Sequence, residues 1–544
     1  MSQMLPIPPL PMNEPILGYL PGSPEKAALK AKLKELAGTR IEIPLVIGGK
    51  DVATGDLGEC RMPHDHRHLL GVYHKASAKH VQAAATAARK AKKDWAALPW
   101  EARAAVFLKA AELLAGRRRS TLNAATMLGQ SKTAYQAEID SACELIDFWR
   151  FNPAFAHDIM SEQPESGPGM WNMLEQRPLD GFVFAVTPFN FTSIAGNLPT
   201  APALMGNTVL WKPASSAVYS AWYIMEILRE AGLPDGVINM IPGSGGQVGN
   251  PVIEHPDLGG VHFTGSTEVF QNMWGTIGAN IRNYACYPRI VGETGGKDFV
   301  FAHASADPVA LVTALVRGAF EYQGQKCSAA SRAYVPASLW PQVREHLLAE
   351  VASIRMGDPA DFTNFMGAVI DQGAFRSIKG YIDMARKARG QARIIAGGGC
   401  DDSKGWFIEP TVIEAKDPDF VTMREEIFGP VLTVHVYQDK DWLKALRLCD
   451  KGSAYALTGA VFARDRGVIE TMKQELVGTA GNFYINDKPT GAVVGQQPFG
   501  GSRASGTNDK AGSYLNLIRW TTPRTIKETF DPPRDYRYGF MSHK

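Results

Sequence analysis

The feature that most constrains the fold is an alternation of strand-like and helix-like segments across residues 181–297. The apolar runs GFVFAVTP, NTVLWKP, GVINMIPG, GVHFTGS and RIVGETGGK are separated by longer segments. One of these, SAVYSAWYIMEILREAG, has apolar residues three and four positions apart, which predicts an amphipathic helix. Such alternation is typical of a parallel sheet with helices on both faces. The sequence therefore predicts an α/β fold.

The alternation starts again in the second half of the chain, for example in RAYVPASLWPQVREHLLAEV. A chain of 544 residues is too long for one core, so several domains are expected. We predict two doubly wound parallel-sheet domains plus a small oligomerisation element, with LNLIRW as a candidate edge strand. The predicted divisions are an N-terminal arm (1–55), a first α/β domain (56–298) interrupted by a linker or hairpin at 161–180, a second α/β domain (299–485), and a C-terminal tail (486–544).

The charge balance argues against several classes of partner. The 57 basic and 55 acidic residues give a formal net charge of +2, so no basic footprint for nucleic acid or an anionic membrane is expected. No apolar run reaches the about 18 residues that span a bilayer. The start, MSQMLPIPPLPMNEP, is Pro-rich and lacks the basic and apolar regions of a secretory signal.

The cysteines point to a reducing compartment. The six are widely spread and form no C-x-x-C pair, which argues against a zinc site and fits a reducing compartment. A cytoplasmic location is the simplest expectation, and a mature mitochondrial matrix protein is the alternative. The cysteines are Cys60, Cys143, Cys286, Cys327, Cys400 and Cys449.

Ligands of a doubly wound sheet bind at the carboxyl ends of its strands. Three segments follow predicted strands here, TPFNF, WKPASS and FTGSTEV. In the last, Gly265 and Ser266 are expected to open a helix whose free N–H groups and positive dipole suit a phosphate. Lys212 is placed to contact a ribose or phosphate. The loop AFEYQGQKCSAASR holds one thiol, Cys327, which on its own is either a small buried side chain or a nucleophile.

Seven short segments between residues 187 and 501 follow one another in a characteristic order: TPFNF, LWKP, FTGS, GETGGK, GQKCS, EEIFGP and PFGG. In these segments and in their order, the chain resembles the aldehyde dehydrogenase superfamily. AGNFYINDK and GQQPFGGSRASGTNDK are further similar to its Δ1-pyrroline-5-carboxylate dehydrogenase branch. The resemblance implies NAD-dependent oxidation of L-glutamate γ-semialdehyde to L-glutamate in proline catabolism. It also implies NAD binding by the first α/β domain, a nucleophile in the second, and a homodimer or higher homo-oligomer.

The resemblance also implies the catalytic residues. Cys327 is the nucleophile, and Glu293 is the general base that activates water against the thioester. The family commonly has Leu at the position of Thr294. Asn190, with the backbone N–H of Cys327, stabilises the oxyanion. A free thiol is mostly protonated at neutral pH, and Lys326 is a candidate for favouring the thiolate.

The cofactor contacts implied by the resemblance follow the strands of the first domain and the EEIFGP segment. An acid after the second strand often holds the NAD ribose, whereas KPASSA offers Ser215 and Ser216, so the preference between NAD and NADP stays open. The implied NAD contacts are Thr187, Lys212, Gly265, Ser266, Thr267, Glu268, Val269, Glu426 and Phe428.

The resemblance places the substrate carboxylate in an anchor loop, PTGAVV, where the backbone N–H groups of Gly491 and Ala492 form an anion nest. Ser328 is a further donor. Phe191 and Phe499 enclose the aliphatic middle of the substrate or belong to the core. Two rivals remain: an aldehyde dehydrogenase for another carboxylated or aliphatic aldehyde, and a catalytically silent binding protein.

Overall fold

A computed structural model describes residues 6–388 and 390–541. Residues 1–5 of the predicted arm and 542–544 of the predicted tail lie outside the described residues. The predicted α/β class is confirmed, because two seven-stranded sheets are each covered by helices.

The first sheet contains the five apolar runs as parallel strands, and two more N-terminal strands join one edge in antiparallel orientation. Fully buried aromatic side chains such as Phe184, Trp211 and Phe263 pack its two faces, and each contributes on the order of 2–3 kcal/mol by burial. In spatial order the strands are Arg289–Glu293, Leu258–Thr264, Phe182–Val186, Val209–Lys212, Ile238–Met240, Leu45–Ile47 and Lys50–Val52.

The helices around this sheet follow the predicted periodicity. Val218–Ala231 buries one face and ends at Gly232, whose φ of 97° suits glycine. The region after residue 78 is helical, as expected, and contains one turn of π-helix, Glu138–Glu144. The α-helices are Ala78–Ala97, Trp100–Ala115, Arg119–Gln130, Ala134–Ala137, Leu145–Ser161, Thr192–Leu204, Val218–Ala231, Asn250–Ile253 and Thr267–Ala279.

The second sheet is parallel except for one edge strand, Ala392–Ala396, which is antiparallel to its neighbour. In spatial order its strands are Ala392–Ala396, Thr411–Ala415, Val431–Tyr437, Ala330–Pro336, Asp298–Ala302, Thr458–Phe462 and Asn482–Ile485. The helices of the second half are Pro308–Phe320, Trp340–Ser353, Gln372–Lys387, Val421–Arg424, Trp442–Lys451, Arg466–Glu475 and Tyr514–Leu517.

The N-terminal region differs from the expected arm. Residues 6–23 form neither helix nor strand, and a helix then runs over Pro24–Ala37 because Ser23 caps it and proline occupies its first position. Strands follow within the range that we expected to be an arm. A separate three-stranded sheet comprises Ile41–Ile43, Asp65–His74 and Leu57–Met62.

The segment 161–180 does not fold back on itself as a hairpin. Its strand Met170–Pro178 pairs antiparallel with Thr521–Thr529, so a two-stranded ribbon joins this segment to the tail. The expected edge strand LNLIRW is wrong. It forms the short helix Tyr514–Leu517 and a further turn, because Ser513 caps the helix and Trp520 is fully buried. Within residues 6–388 and 390–541, no helix combines the length and apolarity that a membrane crossing needs.

Candidate active site

The carboxyl ends of four strands of the first sheet meet along one edge. The strand register aligns Val186 with Lys212 and with Phe263, and Thr264 with Glu293. Backbone hydrogen bonds continue past the strand ends: Thr187 N–H donates to the Lys212 carbonyl at 3.2 Å, and Gly265 N–H to the Glu293 carbonyl at 3.2 Å. Several predicted cofactor positions and Glu293 therefore stand side by side.

The ammonium group of Lys212 is enclosed at this edge without a protein partner among the described residues. Its pKa is lowered because burial disfavours the charge. Thr187 is held in place, since its hydroxyl accepts a hydrogen bond from the Trp211 indole at 3.0 Å. An unpaired buried cation is stabilised when hydroxyl or phosphate oxygens reach it, so this edge suits a nucleotide.

The helix Thr267–Ala279 begins at the same edge with an open N-terminus. Ser266 caps it by accepting from the Val269 N–H at 3.4 Å. A Cβ at Gly265 would lie 2.8 Å from the Phe263 ring, so the tight turn needs glycine there. Glu268 and Val269 are exposed in the first turn. The remaining N–H groups and the helix dipole fit a pyrophosphate.

Glu426 and Phe428 approach the loop that follows Glu293. The Glu426 carboxylate accepts the Gly296 N–H at 2.8 Å, and burial raises the pKa of Glu426 to about 7. A Cβ at Gly295 would collide with this carboxylate. Phe428 adopts a positive φ of 57° and packs edge-on against Phe189, with ring centroids 5.8 Å apart.

The loop that carries Cys327 has an unusual backbone. Three successive residues, Tyr322, Gln323 and Gly324, have positive φ angles of 51°, 54° and 66°. The amide of Gln323 holds this turn by donating to the carbonyls of Ser131 at 3.1 Å and Ala368 at 2.7 Å. Residues from both halves of the chain therefore fix the nucleophile loop.

Cys327 is partly exposed to a cavity. The pKa of its thiol is raised well above the ordinary value, first by burial and then by the carboxylates of Glu293, Asp298 and Glu426. The expected help from Lys326 is absent, because its ammonium group pairs with Glu321 at 3.0 Å. The thiol therefore needs another source of stabilisation for its charged form.

Glu293 lies at the end of its strand and lines a small cavity. Burial raises the pKa of this carboxyl to about 8, with Lys510 lowering it and Asp509 raising it further. The small cavity adjoins the larger one at Cys327, since Ile194 and Phe499 line both. A carboxyl group whose pKa lies near neutral pH, in a cavity that adjoins the one at the thiol, is suited to act as a general base.

Asn190 is buried between the first sheet and the nucleophile loop. Its amide donates to the Gln325 carbonyl at 3.1 Å, which leaves its second amide hydrogen for an oxyanion. The Cys327 N–H donates to no other described residue. The helix after Asn190 is anchored by Asp140, whose carboxylate accepts the N–H groups of Thr192 at 3.0 Å and Ser193 at 2.9 Å. These bonds fix the position of Asn190.

The larger cavity has a volume of about 690 Å³. Gly491 adopts a φ of 97°, and the N–H groups of Gly491 and Ala492 have no acceptor within the described part of the chain. The Ser328 hydroxyl is hydrogen-bonded to the Thr490 hydroxyl at 2.8 Å, which ties the anchor loop to the nucleophile loop. The cavity brings together Cys327 and all five predicted substrate residues, Ser328, Gly491, Ala492, Phe191 and Phe499.

Comparison with known proteins settles the family. The sequence profile of the aldehyde dehydrogenase family matches residues 53–526. The chain belongs to this family. It is 53% identical over 536 residues to Delta-1-pyrroline-5-carboxylate dehydrogenase, mitochondrial, of Dictyostelium discoideum, covering 98% of this chain and 96% of the relative. The human protein of the same description is 48% identical over 530 residues, covering 97% and 94%.

Solved structures agree with this assignment. The Delta-pyrroline-5-carboxylate dehydrogenase of Mycobacterium tuberculosis, bound with NAD, has a TM-score of 0.96 at 54% identity, covering 99% of this chain and 100% of that one. The 1-pyrroline-5-carboxylate dehydrogenase from Thermus with bound NAD has a TM-score of 0.90 at 33% identity, covering 97% and 100%.

This aldehyde dehydrogenase has site residues that our sequence reasoning missed. Glu144 lines both cavities, accepts the Ser193 hydroxyl at 2.8 Å, and has its pKa raised to about 8 by burial and by Asp140. Asp140 pairs with the fully buried Lys132 at 2.6 Å. The sequence did carry a signal for these residues, because acids at 138, 140 and 144 interrupt a largely apolar helical stretch. In the structure they lie on a π-helical turn, a feature that is frequent at functional sites.

Proposed function

We propose that this aldehyde dehydrogenase oxidises L-glutamate γ-semialdehyde to L-glutamate with NAD, as a step of proline breakdown. The observation that carries the proposal is the cavity that joins Cys327 to the two free N–H groups of Gly491 and Ala492. A thiol nucleophile at one end and an anion nest at the other suit an aldehyde that carries a carboxylate.

The residues along the sheet edge fit NAD. The Lys212 ammonium group has no partner within residues 6–388 and 390–541, and the helix that begins at Thr267 presents free N–H groups to the phosphates. The Glu426 carboxylate is oriented by Gly296 and is assigned to the nicotinamide ribose. When bound, the nicotinamide ring of NAD accepts a hydride.

The first half-reaction takes place at Cys327. The thiol loses its proton to water, the thiolate sulfur forms a bond to the aldehyde carbon, and the resulting oxyanion receives hydrogen bonds from the Asn190 amide and the Cys327 N–H. Both donors are in place before reaction, because Asn190 is fixed by Gln325 and by the helix behind it. Loss of a hydride from the same carbon leaves a thioester.

The second half-reaction depends on Glu293. Its carboxylate takes a proton from water, the water oxygen adds to the thioester carbon, and the carbon–sulfur bond breaks to release glutamate and the thiol. The pKa of about 8 makes this carboxyl a stronger base than an exposed glutamate. The Glu144 carboxyl group on the cavity wall offers an acceptor to the ammonium group of the substrate, whose positive charge favours the ionised form of Glu144.

Kinetics on a panel of aldehydes test the proposal. Glutamate γ-semialdehyde is expected to exceed aspartate semialdehyde and pentanal in kcat/KM by about 100-fold or more, because a shorter or uncharged aldehyde cannot reach the thiol and the nest together. Similar kcat/KM values for pentanal and the semialdehyde would favour the alternative hypothesis that the enzyme acts on a different aldehyde. No NADH formation with any aldehyde would favour a silent binding protein.

We also propose a homodimer. The ribbon Met170–Pro178 with Thr521–Thr529 carries the exposed side chain of Trp171, and the exposed Phe530 directly follows its second strand. Exposed apolar side chains on such a ribbon suit burial against a second copy. Light scattering after gel filtration is expected to give at least twice the monomer mass of 59.2 kDa.

A reducing compartment is proposed for the enzyme, because all six cysteines are free thiols. The cytoplasm is the simplest such place, and the mitochondrial matrix is the alternative. Immunofluorescence of the untagged protein in its own cells distinguishes the two.

A further inference from the structure

The N-terminal segment, residues 6–23, forms part of the cavity wall. This segment lacks helix and strand over its described length, yet Asn13, Glu14 and Ile16 line the cavity together with the anchor loop at 490–494. Asn13 and the anchor loop are 481 residues apart in sequence. A segment that we expected to be an N-terminal arm therefore borders the place where the substrate carboxylate would bind.

The side chain of Asn13 joins two parts of the site. Its amide nitrogen donates to the Asp147 carboxylate and to the Val494 carbonyl, both at 2.8 Å. Its amide oxygen accepts from the Gln496 side chain at 2.9 Å. One side chain thus connects the helix Leu145–Ser161 to the C-terminal end of the anchor loop and to Gln496 just after it.

The support behind Asn13 is rigid. The Glu14 N–H donates to Asp147 at 2.7 Å, and the Glu14 carboxylate pairs with Arg119 at 2.5 Å and Arg150 at 2.6 Å. Charge-assisted bonds of this kind, largely enclosed, are stronger than neutral ones. The segment is therefore a fixed wall at Asn13.

A second set of contacts fixes the segment a few residues later. The Leu17 N–H and the Tyr19 hydroxyl donate to the Glu138 carboxylate at 2.9 and 2.6 Å. Glu138 belongs to the π-helical turn that also carries Glu144. The π-helical turn Glu138–Glu144 therefore both holds the N-terminal segment and contributes Glu144 to the cavity lining.

Among the described residues, the anchor loop's own backbone bonds are at its C-terminal end, where the Val493 carbonyl accepts the N–H groups of Gln496 and Gln497, both at 3.0 Å. Gly491 has a positive φ, and Gly491 and Gln496 are exposed. Within the loop, the Val493 N–H donates to the Gln497 side chain at 3.0 Å. A displacement of about 1 Å in a substrate-holding group can cost about 100-fold in rate.

We infer that Asn13 is a positioning residue that holds the anchor loop at the distance from Cys327 that a carboxylated aldehyde requires, so that the N-terminal segment sets selectivity for the charged substrate. This inference rests on the proposed function. It deepens that function by assigning a specificity role to a segment far from every catalytic motif.

Steady-state kinetics of Asn13→Ala test the inference, with Met12→Ala as the matched control. Met12 is on the same segment, and its side chain is 71% exposed. In Asn13→Ala, KM for glutamate semialdehyde is expected to rise about tenfold or more, while KM for pentanal and the Kd for NAD change less than about twofold. Met12→Ala is expected to match the wild type in all three.

Gln496→Ala removes the other partner of the hydrogen bond to Asn13. Because Gln496 is exposed, this substitution is not expected to impair folding. It is expected to raise KM for the semialdehyde alone, and the double variant with Asn13→Ala is expected to show less than the product of the two effects. An unchanged KM in Gln496→Ala, or equal rises for semialdehyde and pentanal, overturns the inference. A wild-type enzyme without preference for the semialdehyde overturns the proposed function itself.

Discussion

The pH dependence of thioester hydrolysis tests the role of Glu293 most directly. Burial raises the pKa of this carboxyl to about 8. Since the ratio of ionised to neutral form changes tenfold per pH unit, about a tenth is ionised at pH 7 and about nine-tenths at pH 9. If the carboxylate is the base, hydrolysis should accelerate about tenfold over that interval and show a midpoint near pH 8.

The assay needs a step that reports hydrolysis alone. Acylation of Cys327 by p-nitrophenyl acetate gives a burst of nitrophenolate, and the following steady rate reports hydrolysis of the acyl-enzyme. Glu293→Gln should keep the burst and lose the steady phase together with its pH dependence. With glutamate semialdehyde and NAD, the same variant should produce a burst of about one NADH per site.

Two neighbours give a sign test of the same reasoning. Asp509 raises the pKa of Glu293 and Lys510 lowers it. Asp509→Asn should therefore move the midpoint to lower pH and speed hydrolysis at pH 7, while Lys510→Met should move it to higher pH. Thermal unfolding of both variants controls for altered packing. A wild-type midpoint below pH 6, or shifts of the opposite sign, would refute the assignment of Glu293 as the base.

Three further substitutions and one comparison of coenzymes extend the test to the rest of the site. Cys327→Ala should abolish turnover and retain NAD binding by fluorescence titration; near-normal turnover would contradict the covalent mechanism. Asn190→Ala should slow the first hydride transfer by about 100-fold in stopped flow, and an unchanged rate would exclude its role as an oxyanion donor. Ser328→Ala should raise KM for the semialdehyde more than for pentanal, since its hydroxyl joins the anchor loop; equal rises would argue against this. Ser215 carries no negative charge that would repel the 2′-phosphate of NADP. Initial rates with NADP should therefore be measurable beside those with NAD. No detectable rate with NADP would indicate that another residue discriminates between the two coenzymes.

The parts of the fold and site that could be predicted are those with a local signal. Apolar runs that end at Val186, Lys212, Thr264 and Glu293 became parallel strands of one sheet, because burial on both faces leaves such runs few alternatives. The order of the motifs then placed the thiol, carboxyl and amide in one region. A readable signal was overlooked at Ser23 and Pro24, which mark a helix start.

The parts that could not be predicted depend on long-range contacts. Nothing near Asn13 in the sequence indicates a hydrogen bond to Val494, because the partner is a backbone carbonyl that any residue would offer. The orientation of Lys326 is likewise decided by Glu321 across a turn whose backbone angles are rare. Rare angles have weak sequence signals when the residues are not glycine.

The left-handed turn at Tyr322 and Gln323 links catalytic competence to the completion of folding. Such angles cost on the order of 1–3 kcal/mol per non-glycine residue, so the turn persists only while its surroundings impose it. Two of the groups that impose it, the Ser131 carbonyl and the Asn190 amide, belong to the other half of the chain. An isolated second half would keep the GQKCS sequence and lose the geometry. The attacking position of the reactive thiol therefore depends on contacts between the two halves of the chain, and a variant that loosens those contacts should lose activity before it loses its overall fold.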